Sequence, residues 1–200
     1  MTEPHRPRRP SVREPSAIEA LGEPSDPIAD LHSAHETAAV LVRTGRAAAD
    51  PALTGRLVAL TDEIGLDTLA ELWASRPART LPGALWRLYL LREWVVGDPS
   101  GAAREYAAGV RFTEADHVVA GAEPPGPDEV RRVAEPILHG VYAGDLAVAL
   151  ERAAAFCRVV SSGRADVTPG GAAVRQAGRL QDMARVLTAC ASLWRAGRLD

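Results

Sequence analysis

The spacing of apolar residues along the chain predicts helices and gives no convincing strand alternation. Helix-start signals recur from Ser25 onward, where an aspartate stands directly before a proline at Asp26-Pro27, Asp50-Pro51 and Asp98-Pro99. An aspartate side chain caps the first turn of a helix, and proline suits the first helical position. We therefore predict nine helices, at residues 27–45, 51–64, 67–75, 82–97, 99–111, 114–121, 128–140, 145–162 and 171–196.

The last predicted helix carries the clearest pattern in the sequence. Its apolar residues alternate at spacings of four and three, which is a heptad seam: Ala173, Ala177, Leu180, Ala184, Leu187, Ala191 and Trp194. Small alanine side chains allow a neighbouring helix to approach closely. That neighbour is either the alanine-rich helix at 145–162, in a hairpin that we favour, or a second copy in a homodimer. Leu180, Leu187 and Trp194 are candidate interaction residues on this seam.

The stretch from Leu81 to Val96 reads LPGALWRLYLLREWVV and predicts a central core helix. Its three charges are spread around the helical wheel, and apolar residues fill the arcs between them, as in a helix with neighbours on several sides. A helix of this length with three charges is too short and too polar to cross a membrane. We expect Trp86 and Trp94 to contribute much of the buried area.

These elements predict an all-α protein, a multi-helix bundle or orthogonal array of about eight to nine helices in residues 27–200. The proline- and arginine-rich residues 1–26 have few apolar groups to bury, so we expect a disordered tail there. The run Pro124-Pro125-Gly126-Pro127 is a stiff turn near 122–127, where the helices either divide into two groups or share one core. We expect Pro136 to kink or break its helix.

The composition excludes several classes of enzyme. All 23 basic residues are arginine, so the chain has no lysine for a P-loop, a pyridoxal Schiff base or a kinase. Cys157 and Cys190 lie in apolar helical patterns without metal or redox spacing, which favours buried thiols in a reducing cytoplasm. Ser161-Ser162-Gly163 is interpreted as a polar helix end rather than a nucleophile turn. We assign no catalytic residue.

Histidines and carboxylates at helical spacing are the candidate metal ligands, because Glu-x-x-His pairs on helices hold the metals of di-iron bundles. The candidates for a divalent metal or small-molecule site are His32, His35, Glu36, Glu114 and His117. Glu135 and His139 form a further pair, four residues apart. Apart from this alternative, we expect no cofactor.

The front of the N-terminal tail is basic, whereas the chain as a whole is acidic. Residues 1–13 carry the arginines Arg6, Arg8, Arg9 and Arg13 against the single acid Glu3, whereas the whole chain has a net charge of −3. Such a tail predicts contact with phosphates or with an acidic protein surface. It lacks the aromatic residues and the helix-turn-helix of a sequence-specific nucleic-acid reader.

Two stretches carry a resemblance to actinobacterial all-helical proteins. These are VAGAEPPGPDEVRRVAEPILHGVYAGDLAVALERAAAFCRVVSSGRAD and, upstream, LPGALWRLYLLREWV. The resemblance covers most of residues 28–198. It implies an all-α cytoplasmic protein and implies no catalytic residue.

The leading hypothesis is a non-enzymatic helical interaction or regulatory protein that binds another macromolecule, with the basic tail as a secondary contact. We expect this partner to be a protein. The first alternative is a metal- or small-molecule-binding bundle that uses the His and Glu pairs. The second alternative is a nucleic-acid-associated protein that binds through residues 1–13. We expect no membrane partner.

Overall fold

The computed structural model of the protein describes residues 26–121 and 126–200. These residues form ten helices and no strand, which confirms the all-α class. The helices are α1 (Pro27–Ala48), α2 (Pro51–Val58), α3 (Leu60–Ile64), α4 (Leu66–Trp73), α5 (Leu81–Gly97), α6 (Pro99–Val110), α7 (Glu114–Ala120), α8 (Pro127–Ala143), α9 (Leu146–Val167) and α10 (Gly171–Arg195). Residues 1–25, which are the predicted tail without Asp26, lie outside the described residues. So do residues 122–125, which belong to the predicted boundary at 122–127.

Aspartate side chains start four of the helices, three of them at the predicted Asp-Pro pairs. Oδ1 of Asp26 accepts from Ile28 N (3.0 Å), and Oδ1 of Asp50 accepts from Ala52 N (2.9 Å). Asp98 and Asp145 cap α6 and α9 in the same manner. These bonds satisfy main-chain donors that the first turn leaves free, so the sequence sets the helix starts locally.

Three details differ from the prediction. The segment 51–64 is two helices, because α2 ends at Val58 and α3 begins at Leu60. Pro136 lies inside α8 and does not break it, so only the kink stays a prediction. The interpretation of Ser161-Ser162-Gly163 as a helix end was wrong, since α9 continues through them to Val167. Ser161 is buried, and its hydroxyl donates to the carbonyl oxygen of Ala177 on α10 (2.8 Å).

Helix α9 lies at the centre of the fold, where it packs mainly against α10 and α6. The seam of α10 therefore faces α9 of the same chain, as in the predicted hairpin. The connection between the two helices is only residues 168–170. One cluster of buried residues extends from Ala34 to Leu199 and joins helices on both sides of residues 122–125.

The predicted core helix is α5, and ten of its residues are buried. Trp86 and Trp94 are partly buried and pack against the core, so each leaves some of its surface uncovered. Trp73 of α4 is fully buried and stacks on Tyr89 of α5 with ring centroids 6.3 Å apart. No helix in the described part of the chain is long and apolar enough to cross a membrane.

Two polar groups inside this core are held by specific partners. The buried Arg92 guanidinium of α5 pairs with Asp62 (2.7 Å) and Glu93 (2.7 Å), which ties α5 to α3. The hydroxyl of Tyr89 donates to the carbonyl oxygen of Leu57 (2.5 Å) and lies 2.6 Å from the hydroxyl of Tyr142. Buried polar groups of this kind fix the relative position of the helices, since leaving one unpaired is costly.

Candidate functional site

A groove runs along the surface between α5 and α10. It consists of two neighbouring cavities of about 360 Å³ and about 250 Å³. Leu90, Arg179 and Met183 line both cavities, so the two are parts of one depression. We call this depression the α5–α10 groove.

The two walls of the groove run antiparallel. The smaller cavity lies between Trp86 of α5 and Val186 of α10, and the larger one lies between Trp94 and Gln176. Trp86, Leu90 and Trp94 are spaced four residues apart, so they lie on one face of α5. At 1.5 Å per residue this face extends over about 12 Å.

The walls are apolar, with side chains that the protein core covers only in part. Trp86, Leu90, Trp94, Met183 and Val186 are each half-buried. Beneath them, Leu91 and Leu180 are buried and form the floor of the larger cavity. Aromatic side chains and methionine in a concave apolar setting are characteristic of protein-binding surfaces.

The polar residues of the groove are mainly arginines. Arg87, Arg164 and Arg179 line it, together with Gln176 and the single acid Asp182. Asp182 pairs with Arg185, one turn further along α10. The groove is therefore positively charged, although the whole chain has a net charge of −3.

The three arginines of the groove differ in their surroundings. Arg164 pairs with Glu105 (2.7 Å) and lies over the Trp94 ring, 5.0 Å from its centroid. Arg87 donates to the carbonyl oxygen of Gly83 (2.6 Å), and burial lowers its pKa. Arg179 is exposed on α10 and pairs with no acid among the described residues. Arg87 and Arg179 thus retain donors for a carboxylate from outside.

A second concavity, of about 460 Å³, lies beside α1 and brings together three of the five candidate metal ligands. His32, His35 and Glu36 line it, with Trp194 from α10 on the other side. We call it the α1 cleft. Its floor is apolar and includes Val42, Leu81 and Leu199, all buried.

The other candidate ligands lie elsewhere. Nδ1 of His117, on α7, lies 3.0 Å from the hydroxyl of Tyr106 on α6. His139 lines a third concavity, of about 550 Å³, with Arg46 and Asp50. Within the described part of the chain, no three His, Cys, Asp or Glu residues are grouped closely enough to hold a metal ion. The side chain of Glu114 is outside the description, so a metal site that includes it stays a prediction.

The two cysteines are buried and free, with thiols unsuited to nucleophilic chemistry near neutral pH. Burial raises the pKa of Cys157 to about 12. Burial also raises the pKa of Cys190, against the opposing effect of Arg87 and Arg79. The reactive form of a cysteine is the thiolate, and a raised pKa removes it at pH 7.

The predicted interaction residues divide between core and surface. Leu187 is fully buried, and Leu180 is 8% exposed on the floor of the larger cavity of the groove. Trp194 is half-buried in the α1 cleft, where the Arg46 guanidinium lies 5.1 Å from its ring centroid. The tail arginines Arg6, Arg8, Arg9 and Arg13 lie outside the described residues.

Sequence reasoning missed the residues that form the α5–α10 groove, above all Arg87, Leu90, Arg179 and Met183. The four-residue spacing of Trp86, Leu90 and Trp94 was a visible signal of a common face. It gave no indication that α10 borders this face, because Leu90 and Met183 are far apart in the sequence.

Comparisons of the chain with protein-family models, with curated proteins and with solved structures find no match. The resemblance to actinobacterial helical proteins therefore gains no support from them.

Proposed function

We propose that the protein is a non-enzymatic binding protein that holds a segment of another protein in the α5–α10 groove. The observation that carries this proposal is the pair of connected cavities with partly exposed tryptophans on one wall. Trp86 and Trp94 are half-buried, so part of each side chain stays exposed on the wall of the groove. A partner that covers them gains the burial energy that this chain leaves unused.

The chemistry of the remaining side chains is consistent with a binding role. Both thiols have raised pKa values, and the described carboxylates and histidines form no three-residue metal group. Free, buried thiols also support a reducing location, which we propose is the cytoplasm. In this proposal the basic tail makes a secondary contact with the partner.

Site-specific photocrosslinking in a lysate of the source cells tests the proposal. A photoreactive amino acid replaces Val186, which lines the groove, in the full-length chain. The matched control replaces Val174, which is 61% exposed on the same helix and outside the groove. We expect one protein to be crosslinked from position 186 and not from position 174.

A further variant separates groove binding from simple exposure. Met183→Glu introduces a charge at a position shared by both cavities, and thermal unfolding establishes that the variant is folded. We expect it to abolish the crosslink from position 186. Equal crosslinking from positions 186 and 174, or a crosslink that Met183→Glu leaves unchanged, would contradict the proposal.

The α1 cleft supports a second candidate function, the binding of a small molecule. Its volume of about 460 Å³ is in the usual range for ligand sites, and polar groups surround an apolar floor. A fragment screen followed by NMR tests it, with fragments expected to shift the signals of His35 and Trp194. His35→Ala would remove these shifts, whereas the control His139→Ala would retain them. Fragments that bind only elsewhere would rule this candidate out.

A further inference from the structure

Building on the proposed function of the α5–α10 groove, we infer that its occupant is an acidic amphipathic helix of another protein. The positive charge of the groove indicates that the partner's contacting surface is negatively charged. The length of the groove's apolar wall and the spacing of the side chains on it indicate that the partner is a helix.

The charge argument rests on residues from three helices. Arg87 of α5, Arg164 of α9 and Arg179 of α10 lie on the groove, with Asp182 as the single acid among the described lining residues. Glu105 neutralises Arg164, so the unpaired positive charge comes from Arg87 and Arg179. Because Asp182 already pairs with Arg185, it does little to reduce the positive potential there. Carboxylates on a partner are attracted to such a site, while a basic partner is repelled.

Arg179 and Arg87 are the arginines that meet the partner's carboxylates. Arg179 is exposed and pairs with no acid among the described residues, so it needs no rearrangement to bind one. The Nη1 atom of Arg87 is held at 2.6 Å by the carbonyl oxygen of Gly83. This contact orients its guanidinium, and a planar guanidinium with further N–H donors binds a carboxylate well.

The apolar wall matches the spacing of side chains on a helix. Trp86, Leu90 and Trp94 extend over about 12 Å, whereas apolar side chains at positions i, i+4 and i+7 of a helix extend over about 10 Å. One such side chain enters each cavity, and the third packs at Leu90 and Met183, where the cavities join. Helices bound in grooves use this set of anchors.

The basic residues 1–13 of the same chain do not fit this site. Residues 1–13 carry four arginines against one glutamate, the same sign of charge as the groove. The partner that we propose is a separate protein, whose acidic residues complement the groove and the arginines of residues 1–13. Residues 14–25 carry three glutamates and no arginine, and if they occupied the groove the acidic peptide would not bind the full-length protein.

Peptide binding to the full-length protein tests the inference. The probe is a labelled helical peptide of about 16 residues, with leucine at i, i+4 and i+7 and glutamate on the flanking positions. The matched peptide carries arginine in place of each glutamate. Fluorescence anisotropy gives the affinities, and loss of peptide binding in Met183→Glu reports that the peptide occupies the groove. We expect the acidic peptide to bind at least about tenfold more tightly than the basic one.

Charge reversal on the protein supplies the matched variants. Arg179→Glu is expected to lower the affinity for the acidic peptide about tenfold and to raise the affinity for the basic peptide. Arg104→Glu is the control, on an exposed residue of α6 outside the groove, and is expected to change neither affinity by more than about twofold. Neither residue is part of the core, so both variants are expected to fold.

Three results would overturn the inference. The first is equal affinity for both peptides, and the second is an equal effect of the two charge reversals on peptide affinity. The third is a concentration-dependent dimer that Met183→Glu abolishes, because it would identify a second copy of the chain as the occupant. If the crosslink from position 186 persists while no acidic peptide binds, the proposed function stands and only the acidic helix is wrong. If both fail, the groove is not a protein-binding site.

Discussion

Gly163 of α9 lies directly against Gly109 of α6, and both positions exclude any larger side chain. A Cβ atom on Gly163 would lie 1.7 Å from the carbonyl oxygen of Glu105 and 2.7 Å from the nitrogen of Gly109. A Cβ atom on Gly109 would lie 1.8 Å from the carbonyl oxygen of Val159. The main chains of α6 and α9 thus touch at this crossing, which fixes α6 against the central helix.

Gly163→Ala is predicted to be strongly destabilising, because the atoms that the new methyl group meets belong to the main chain and cannot move aside. We expect a loss of about 3 kcal/mol in the free energy of unfolding, measured by urea denaturation. Gly178→Ala is the control, since a Cβ atom on Gly178 of α10 meets nothing within 4 Å. It is expected to stabilise the protein by up to about 1 kcal/mol through helix propensity. Similar effects of the two substitutions would refute the close crossing.

The buried pair Tyr89 and Tyr142 predicts an asymmetric response to removal of a hydroxyl group. Tyr89 donates its proton to the Leu57 carbonyl, so Tyr142 donates to Tyr89. Tyr89→Phe leaves the carbonyl oxygen of Leu57 and the hydroxyl of Tyr142 without their partner. It is expected to lower the free energy of unfolding by about 3 kcal/mol. Tyr142→Phe leaves the bond to Leu57 intact and is expected to cost about 1 kcal/mol. Chemical denaturation of both variants measures the difference, and the reverse order would contradict the assigned donor directions.

Stability is predicted to fall in alkaline solution. Burial raises the pKa of Cys157 to about 12, above its value of about 8.5 in an unfolded chain. The folded protein therefore keeps a proton that the unfolded chain releases, and this contribution to stability is complete below about pH 8.5 and is lost as the pH rises toward 12. Burial raises the pKa of Tyr89 and Tyr142 in the same direction, with an effect that begins near pH 10.

The thiol contribution can be isolated by substitution. Between about pH 9 and 10, Cys157 lowers the free energy of unfolding by up to about 1.4 kcal/mol per pH unit. Cys157→Ala removes this part of the slope, whereas Cys190, whose pKa is also raised, continues to contribute. Urea denaturation at several pH values measures the slopes. A slope that Cys157→Ala leaves unchanged would show that this thiol titrates alike in the folded and unfolded states.

The basic tail is predicted to assist partner binding without being essential to it. Replacement of Arg6, Arg8, Arg9 and Arg13 by glutamine is expected to weaken binding of the crosslinked partner by about threefold to tenfold, because exposed charge pairs contribute little individually. Binding of the variant is also expected to depend less on salt. Complete loss of binding, together with sensitivity of the wild-type complex to nuclease, would favour the nucleic-acid alternative.

The sequence determined the helices and the buried face of α10, because both depend on neighbouring residues. Asp26, Asp50 and Asp98 cap their own helices, and a side chain that bonds two or three residues away needs no tertiary structure. The heptad seam likewise identified the face that α9 covers. The same local reasoning failed at Ser161 and Gly163, whose roles depend on contacts with Ala177 and Gly109.

Only the tertiary structure decided which side chains share a site. Residue spacing places His32, His35 and Glu36 on one face of α1, yet it gives no sign that Trp194 closes the cleft beside them. Arg87 and Arg179 belong to helices far apart in the sequence, and they meet on one groove because α5 and α10 pack side by side. A sequence pattern fixes the face of a helix, whereas the neighbour of that face is fixed by packing of the whole core.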